Sequence, residues 1–208
     1  MAANDDDRRN GDPESPLQIS LRQWDICRQR VEPLTQTLKR AEIAGTIIPS
    51  FKGAESNIDR YEQAKRLTGR CDFTDLLGRF GGVRFTTDGH ADCHPEGKVP
   101  RLAAWLCDEQ QDSSRLMDRC LRRLTEPARW AYSVGDPFQA IYSFSGSDPS
   151  LFQAWDFEKR EVLTKSYRCA AEILELGEAC LRNCSDYWDR KIEPAGHDCS
   201  ITHLYLDE

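Results

Sequence analysis

Three polar clusters in this sequence each follow a short apolar stretch, and each holds residue types suited to phosphate chemistry. Asp108-Glu109 follows Leu102 to Cys107, and Gly135-Asp136-Pro137-Phe138-Gln139 follows Trp130 to Val134. Ser166-Tyr167-Arg168 follows Glu161 to Thr164. An Asp at a strand end can hold Mg²⁺ directly or through water, and an adjacent Glu can polarise a water for attack on a γ-phosphate. A glutamine after the next strand, Gln139, can orient that water or report the γ-phosphate through its amide. Arg168 can supply the cation that stabilises charge on a transferring phosphoryl group, and Tyr167 offers a flat face for a base. Taken singly, each residue has an ordinary structural reading as a cap or a turn residue. Order and spacing give the set its weight.

The elements that must position these residues are legible from periodicity. Leu21, Trp24, Cys27, Val31, Leu34 and Leu38 recur at helical spacing, and Pro33 divides the stretch from Leu17 to Ile43 into two helices. A loop from Gly45 to Gly53 precedes a helix over Asn57 to Leu67, and Gly81-Gly82 closes the unit that contains Asp72 to Leu77. Residues 86–100 are rich in polar residues, Gly, Pro and His, and read as a surface loop. Leu102 to Cys107 then reads as a strand buried on both faces. Asp112 or Ser113 can cap a following helix whose apolar stripe is Leu116, Met117, Cys120, Leu121 and Leu124. Trp130 to Val134, Glu161 to Thr164 and Ile201 to Leu206 read as further strands. Asp148-Pro149 opens a short helix carrying Leu151, Phe152 and Trp155, and a longer helix covers about Ala170 to Asn183. Strands alternating with helices imply an α/β fold with a parallel sheet, whose ligands bind at the carboxyl ends of the strands.

Composition narrows the function classes. Residues 1–15 contain five acids, two arginines and no large apolar residue after Met1, the pattern of a disordered tail. No apolar run approaches the roughly 20 residues that cross a bilayer, and no secretory leader is visible, so a soluble, cytoplasmic, DNA-associated protein without membrane partners is expected. Nine cysteines without a CxxC pair fit reduced thiols better than a disulfide framework. The net charge of -7 argues against a strongly basic nucleic-acid binder. Leu21 to Arg70, however, holds ten Lys/Arg against six Asp/Glu, so a basic face is available there, with solvated helix surfaces the plainer explanation. His90, Cys93 and His94 offer three metal-binding side chains, but no fourth ligand stands at zinc spacing, and coincidence is the better reading.

Read together, the clusters resemble the motifs of UvrD/Rep-like superfamily 1 DNA helicases. Asp108-Glu109-Gln110-Gln111-Asp112 is similar to the family's DExQD, and Gly135 to Asp148 (GDPFQAIYSFSGSD) is similar to GDxxQSIYxFRGAD. Leu163 to Cys169 (LTKSYRC) is similar to LxxNYRS, and Asp72 to Leu77 (DFTDLL) to the DFxDLL segment that precedes the acidic motif. The four stand in family order, over roughly residues 57–185. The resemblance implies a partial RecA-like parallel sheet of the P-loop NTPase fold with a helical N-terminal subdomain. It places the helical subdomain and loop at 16–100, the core of the first motor domain at 101–160, and the start of the second at 161–208. It implies ATP and Mg²⁺ as cofactors, with Asp108 on the metal, Glu109 as catalytic base and Gln139 sensing the γ-phosphate. Arg168 would reach that phosphate from the second motor domain, and Tyr167 would stack on adenine. Phe144, with Tyr142 nearby, would stack a base of single-stranded DNA, while a core aromatic is the competing reading for Phe144.

The departures are as informative. Ser145 stands where the family has Arg, which removes a charged contact from the DNA-facing motif, and Lys165-Ser166 replaces a pair ending in Asn, which is expected to weaken a local hydrogen bond. No GxxxxGK[ST] phosphate cradle occurs: Gly97-Lys98 is followed by Val99, with Asp92 where the first glycine would be. The later helicase motifs are also missing. The sequence therefore reads as an internal piece of an ATP-dependent helicase that moves on single-stranded DNA and opens duplex junctions, with a separate chain carrying the missing motifs as a candidate partner. The alternative is a non-catalytic nucleic-acid-binding or regulatory remnant.

Overall fold

The computed structural model describes residues 14–184, 187–196 and 199. The tail expected at 1–15 and the strand expected at Ile201 to Leu206 lie largely or wholly outside them. Ser15, however, is part of the fold: it caps α1 (Pro16–Arg30) in a capping box with Gln18, with Pro16 in the first turn. The chain divides into two compact units, one through Trp155 and one from Asp156.

In the first unit, α1 is followed by α2 (Leu34–Ile43), and the break falls at Pro33 as the sequence implies. α3 (Phe51–Thr68) starts earlier than Asn57 because Ser50 accepts a hydrogen bond from Gly53 N, and it ends at Gly69 in the left-handed region. Trp24, Cys27, Leu34, Leu38, Ala54 and Ile58 interlock these three helices into the main core. Burial pushes the Cys27 thiol up to about 12, so it behaves as a small apolar residue. None of the nine cysteines is joined in a disulfide among the described residues.

α4 (Phe73–Gly81) is the DFTDLL segment. Asp72 and Asp75 form its capping box, and both also receive the buried cations that lock α4 to α1 and α3. Arg28 Nη1 donates to Asp72 and Asp75 at 3.0 and 3.1 Å, and Lys65 Nζ donates to them at 3.1 and 2.7 Å. Tyr61 Oη donates to Asp72 at 2.9 Å. Acids in this segment therefore serve assembly of the helical layer.

The expected surface loop at 86–100 is partly a hairpin: β1 (Val83–Thr86) pairs antiparallel with β2 (Gly89–Asp92) across a two-residue turn. Polar composition concealed it, since both faces of β2 are largely solvated. Arg123 then clamps the following turn by donating to the carbonyls of Phe80, Glu96 and Gly97.

β3 (Ala104–Cys107) and β4 (Trp130–Ser133) form a two-stranded parallel sheet, joined by α5 (Arg115–Thr125), whose cap is Ser114. This is smaller than the multi-stranded sheet expected, and β3 is not buried on both faces: Leu106 is 80% exposed. α6 (Pro149–Gln153) follows its Asp148 cap, and buried Trp155 donates to Asp118 of α5. In the second unit, α7 (Ala171–Leu181) forms, but Glu161 to Thr164 is not a strand. Among the described residues it has no ladder partner beyond the isolated bridge between Lys165 and Glu193.

Burial alone would push the Asp72 carboxyl up, but the Asp75 backbone N–H, Arg28, Lys65 and Tyr61 outweigh it and hold it at about 2, below the ordinary 3.8. A depressed carboxylate stabilises fully above its unfolded value and loses that contribution as pH falls through its folded value. Urea midpoints should therefore fall between about pH 4 and pH 2 by the equivalent of about 2 kcal/mol from this group. Asp72→Asn should flatten that limb and cost about 3 kcal/mol at neutral pH by stripping a partner from two buried cations. An unchanged limb would assign the acid loss to other carboxylates.

Candidate nucleotide and nucleic-acid site

Asp108 and Glu109 leave the carboxyl end of β3, and Gly135 to Gln139 leaves the carboxyl end of β4, so the parallel register brings both loops to one rim. Backbone bonds continue the ladder past the strands, from Val134 N to Cys107 O at 2.8 Å and from Gln110 N to Val134 O at 3.1 Å. Gln111, 1% exposed, then joins the loops through its side chain. Its Nε2 donates to Glu109 Oε2 at 2.7 Å, and its Oε1 accepts from Asp136 N at 3.1 Å. Asp136 Oδ2 in turn accepts from Gln139 Nε2 at 2.8 Å. Glu109 and Gln139 are thus the ends of one hydrogen-bonded chain through Gln111 and Asp136. Asp108, Glu109 and Gln139 remain solvent-exposed, as groups that meet a ligand must.

Two local features hold this arrangement. A Cβ on Gly135 would stand 2.5 Å from Gln111 Oε1 and 3.2 Å from Gln111 N, so only glycine admits the close approach. Glu109 adopts φ +52°, left-handed for a residue with a Cβ, and Asp108 Oδ1 accepts its backbone N–H at 2.9 Å. Such conformations cost energy and gather where a side chain must be aimed. Gln110 is also 1% exposed; its Oε1 accepts from the Ser133 hydroxyl, and its backbone N–H carries the inter-loop bond. No periodicity marks these two glutamines as struts, and only the motif as a whole points to them.

The remaining segment presents aromatics. Tyr142 and Phe144 are 47% and 70% exposed, with ring centroids 6.0 Å apart and planes tilted by 52°. Phe144 is thus not a core residue of the first unit. Ser145, where an arginine was expected, donates its hydroxyl to Tyr142 O at 2.8 Å and tightens the turn. Arg30 of α1 donates to Ser143 O at 2.6 Å from the other side.

Tyr167 and Arg168 belong to the second compact unit, and both are exposed. Ser166 Oγ accepts from Arg168 N at 3.3 Å and from Cys169 N at 2.9 Å, so the serine keeps local hydrogen bonding that its replacement of Asn was expected to weaken. Lys165 Nζ lies 5.2 Å from the Tyr167 ring centre.

The donor set fits only part of the implied cofactors. Mg²⁺ ordinarily takes one or two carboxylates and completes its shell with water and phosphate oxygens, which an exposed Asp108 beside Glu109 satisfies. Among the described residues no three or more His, Cys, Asp or Glu side chains gather into a metal centre, His90, Cys93 and His94 included. The turn at Gly97-Lys98 is not a GxxxxGK[ST] cradle, because Val99 stands where the hydroxyl residue belongs and Asp92, in the place of the first glycine, lies in β2.

Residues 18–159 match the UvrD/REP helicase N-terminal domain family, and the chain belongs to it. Among its relatives is YjcD of Bacillus subtilis, described as a candidate ATP-dependent DNA helicase, 28% identical over 71% of this chain and 19% of that protein. An ATP-dependent helicase/nuclease subunit of Lactobacillus delbrueckii is 31% identical over 47% of this chain and 8% of its own length. The same-named protein of Limosilactobacillus reuteri is 46% identical over 23% of this chain and 3% of its own length. The chain thus matches a fifth or less of each of these relatives. No helix among the described residues is long and apolar enough to cross a membrane.

Gly135→Ala should shift the β4 loop off Gln111 and destabilise by about 1–3 kcal/mol by urea titration. Glu109→Gly should be more stable than Glu109→Ala by about 1 kcal/mol, because both lose the carboxylate and only glycine relieves the left-handed backbone. Equal stability of the two variants would remove the strain argument.

Proposed function

We propose that the chain is part of the first motor domain of an ATP-driven translocase that moves on single-stranded DNA and opens duplex junctions, with the sheet of a P-loop NTPase and the start of a second motor domain after residue 160. The reading rests on the hydrogen-bonded chain from Glu109 to Gln139 at the rim of β3 and β4. Bound Mg²⁺ would draw charge from the phosphate oxygens. Asp108 would hold it. Glu109, fixed through Gln111, accepts a proton from an attacking water, and Gln139 reports the γ-phosphate through the same strut. Arg168 and Tyr167 serve phosphate and adenine in this reading, which their exposure permits. Tyr142 and Phe144 form a stacking platform that takes any base without reading sequence.

One observation favours a second, non-catalytic reading as a nucleic-acid-binding or regulatory protein: no phosphate cradle stands in the 208 residues. Turnover separates the two. The chain alone should show no DNA-stimulated ATP hydrolysis, and activity abolished by Glu109→Gln would overturn that expectation. In any polypeptide or complex that joins the chain to a GxxxxGK[ST] cradle, Glu109→Gln should lower kcat about 10²–10⁴-fold with DNA affinity unchanged. Normal turnover in that variant would leave the non-catalytic reading.

Binding tests the platform. Phe144→Ala should weaken association with oligo-dT by about 1–3 kcal/mol in fluorescence anisotropy. Unchanged affinity in both Phe144→Ala and Tyr142→Ala sinks the DNA assignment.

A further inference from the structure

Beside the aromatic platform lies a cavity of about 260 Å³ lined by Arg30, Glu32, Arg40, Arg115, Ser147 and Asp148 among others. It offers room for a phosphate group and several waters, each taking roughly 30 Å³ of liquid volume. Helix α1 reaches it because Gly146, at φ +105°, has no Cβ to meet Gln29 Cβ at 3.0 Å. Val31, at φ +53°, turns the chain so that Arg30 and Glu32 flank the opening.

Three arginines face two carboxylates there, and the carboxylates are already engaged. Glu32 accepts from Thr37 Oγ1 at 2.6 Å and from Arg40 Nη1 at 2.5 Å. Asp148 accepts from Ser150 N at 3.1 Å as the cap of α6. The guanidiniums are underused by comparison. Arg30 spends Nη2 on Ser143 O and stands 4.0 Å from Glu32, while Arg115 lies 3.8 Å from Asp148, beyond hydrogen-bond length. Ser147 lines the same cavity, is 7% exposed, and its hydroxyl has no hydrogen-bond partner among the described residues. A buried hydroxyl left unpaired costs free energy unless something fills its valence. Surplus guanidinium donors around an idle buried hydroxyl suit an oxyanion with several acceptor oxygens.

We infer that this cavity is a phosphate subsite, occupied by the phosphodiester next to the base held on Tyr142 and Phe144, with Arg30, Arg115 and Ser147 as donors. The inference rests on the platform reading above, since Arg30 ties the cavity wall to Ser143 between the two aromatics. It also gives the segment a cation from α1 and α5 in place of the arginine missing at Ser145.

The test compares oligo-dT binding across a salt series with thermal stabilisation by inorganic phosphate. Arg115→Gln is the principal variant, because Arg115 is 61% exposed at its side chain and stands 3.8 Å from the Asp148 carboxylate. It should weaken oligo-dT about tenfold at low salt and reduce the slope of log affinity against log salt by about 0.7. Phe144→Ala should weaken binding with its slope intact. Ser147→Ala should raise the urea midpoint of the free chain yet weaken oligo-dT, a combination that a purely structural serine does not give. Oligo-dT binding that depends on Phe144 but keeps its full slope in Arg115→Gln overturns the subsite and leaves the platform standing. Stabilisation by inorganic phosphate that is lost in Arg115→Gln, without oligo-dT binding, supports a free-phosphate site and removes the DNA reading. Neither ligand binding overturns both.

Discussion

The side-chain amide of Gln111 bridges two loops that the sheet brings to one rim but ties together with only two backbone hydrogen bonds beyond its strands. A parallel pair of four-residue strands cannot by itself define where Glu109 and Gln139 point. A buried amide with one donor arm on Glu109 and its oxygen on the Asp136 N–H can, because each arm fixes one loop. The requirement then propagates. Gly135 must lack a Cβ to admit the amide, and Glu109 must tolerate left-handed backbone to offer its carboxylate to it.

The same economy ties this rim to the helical layer. Gln29 on α1 donates to Thr74 Oγ1 of α4 at 3.2 Å and accepts from Ser114 Oγ, the cap of α5, at 2.6 Å. Arg28, one residue earlier, is held by the capping acids of α4. Arg30, one residue later, holds the carbonyl between Tyr142 and Phe144. Three consecutive side chains at the end of α1 thus reach the acidic-motif helix, the DFTDLL helix and the aromatic segment. A shift of α1 would be felt at each, and this is the physical route by which strand binding and the nucleotide rim can communicate in the proposed motor.

Two breaks in the first unit were legible because their signals are local: Pro33 and the Asp148-Pro149 start act on neighbouring residues, whereas the caps at Ser50 and Asp72 emerge only in the structure, and α3 begins at Phe51 rather than Asn57. The candidate site was legible for a different reason, its resemblance to ordered motifs, which carried the residue types but not their supports. Gln110 and Gln29 act on residues that only the fold brings near, and nothing in their local sequence distinguishes them from surface glutamines, whereas Gln111 stands at the glutamine of the acidic motif without its bridging role being visible there. The hairpin at residues 83–92 was not legible because β1 shows only four residues of alternation and its partner β2, solvated on both faces, carries none. The strand expected at Glu161 to Thr164 failed for the converse reason: apolar residues favour a strand only where a neighbour supplies the ladder, and there the only partner among the described residues is the bridge to Glu193.

That dependence on neighbours bears on the small sheet itself. Leu106, Trp130, Tyr132 and Val134 are largely exposed, and Leu106 pairs with Tyr132 in register, so their burden of apolar surface falls on one open region. Parallel strands occur almost always with both faces covered, because their sequence is apolar on both. The stability of the first unit therefore lies mainly in the α1–α3 core and the buried Arg28–Asp72–Lys65 knot, which do not depend on the sheet's open face. Of the two strained positions in this unit, Glu109 sits at the rim, apart from that core, while Val31 closes α1 between the core residues Cys27 and Leu34, at a cost of about 1 kcal/mol each. A rigid helical block that carries a strained, solvent-facing loop at the rim is an arrangement that can hold ligand-binding groups in place without needing the ligand to hold the block together.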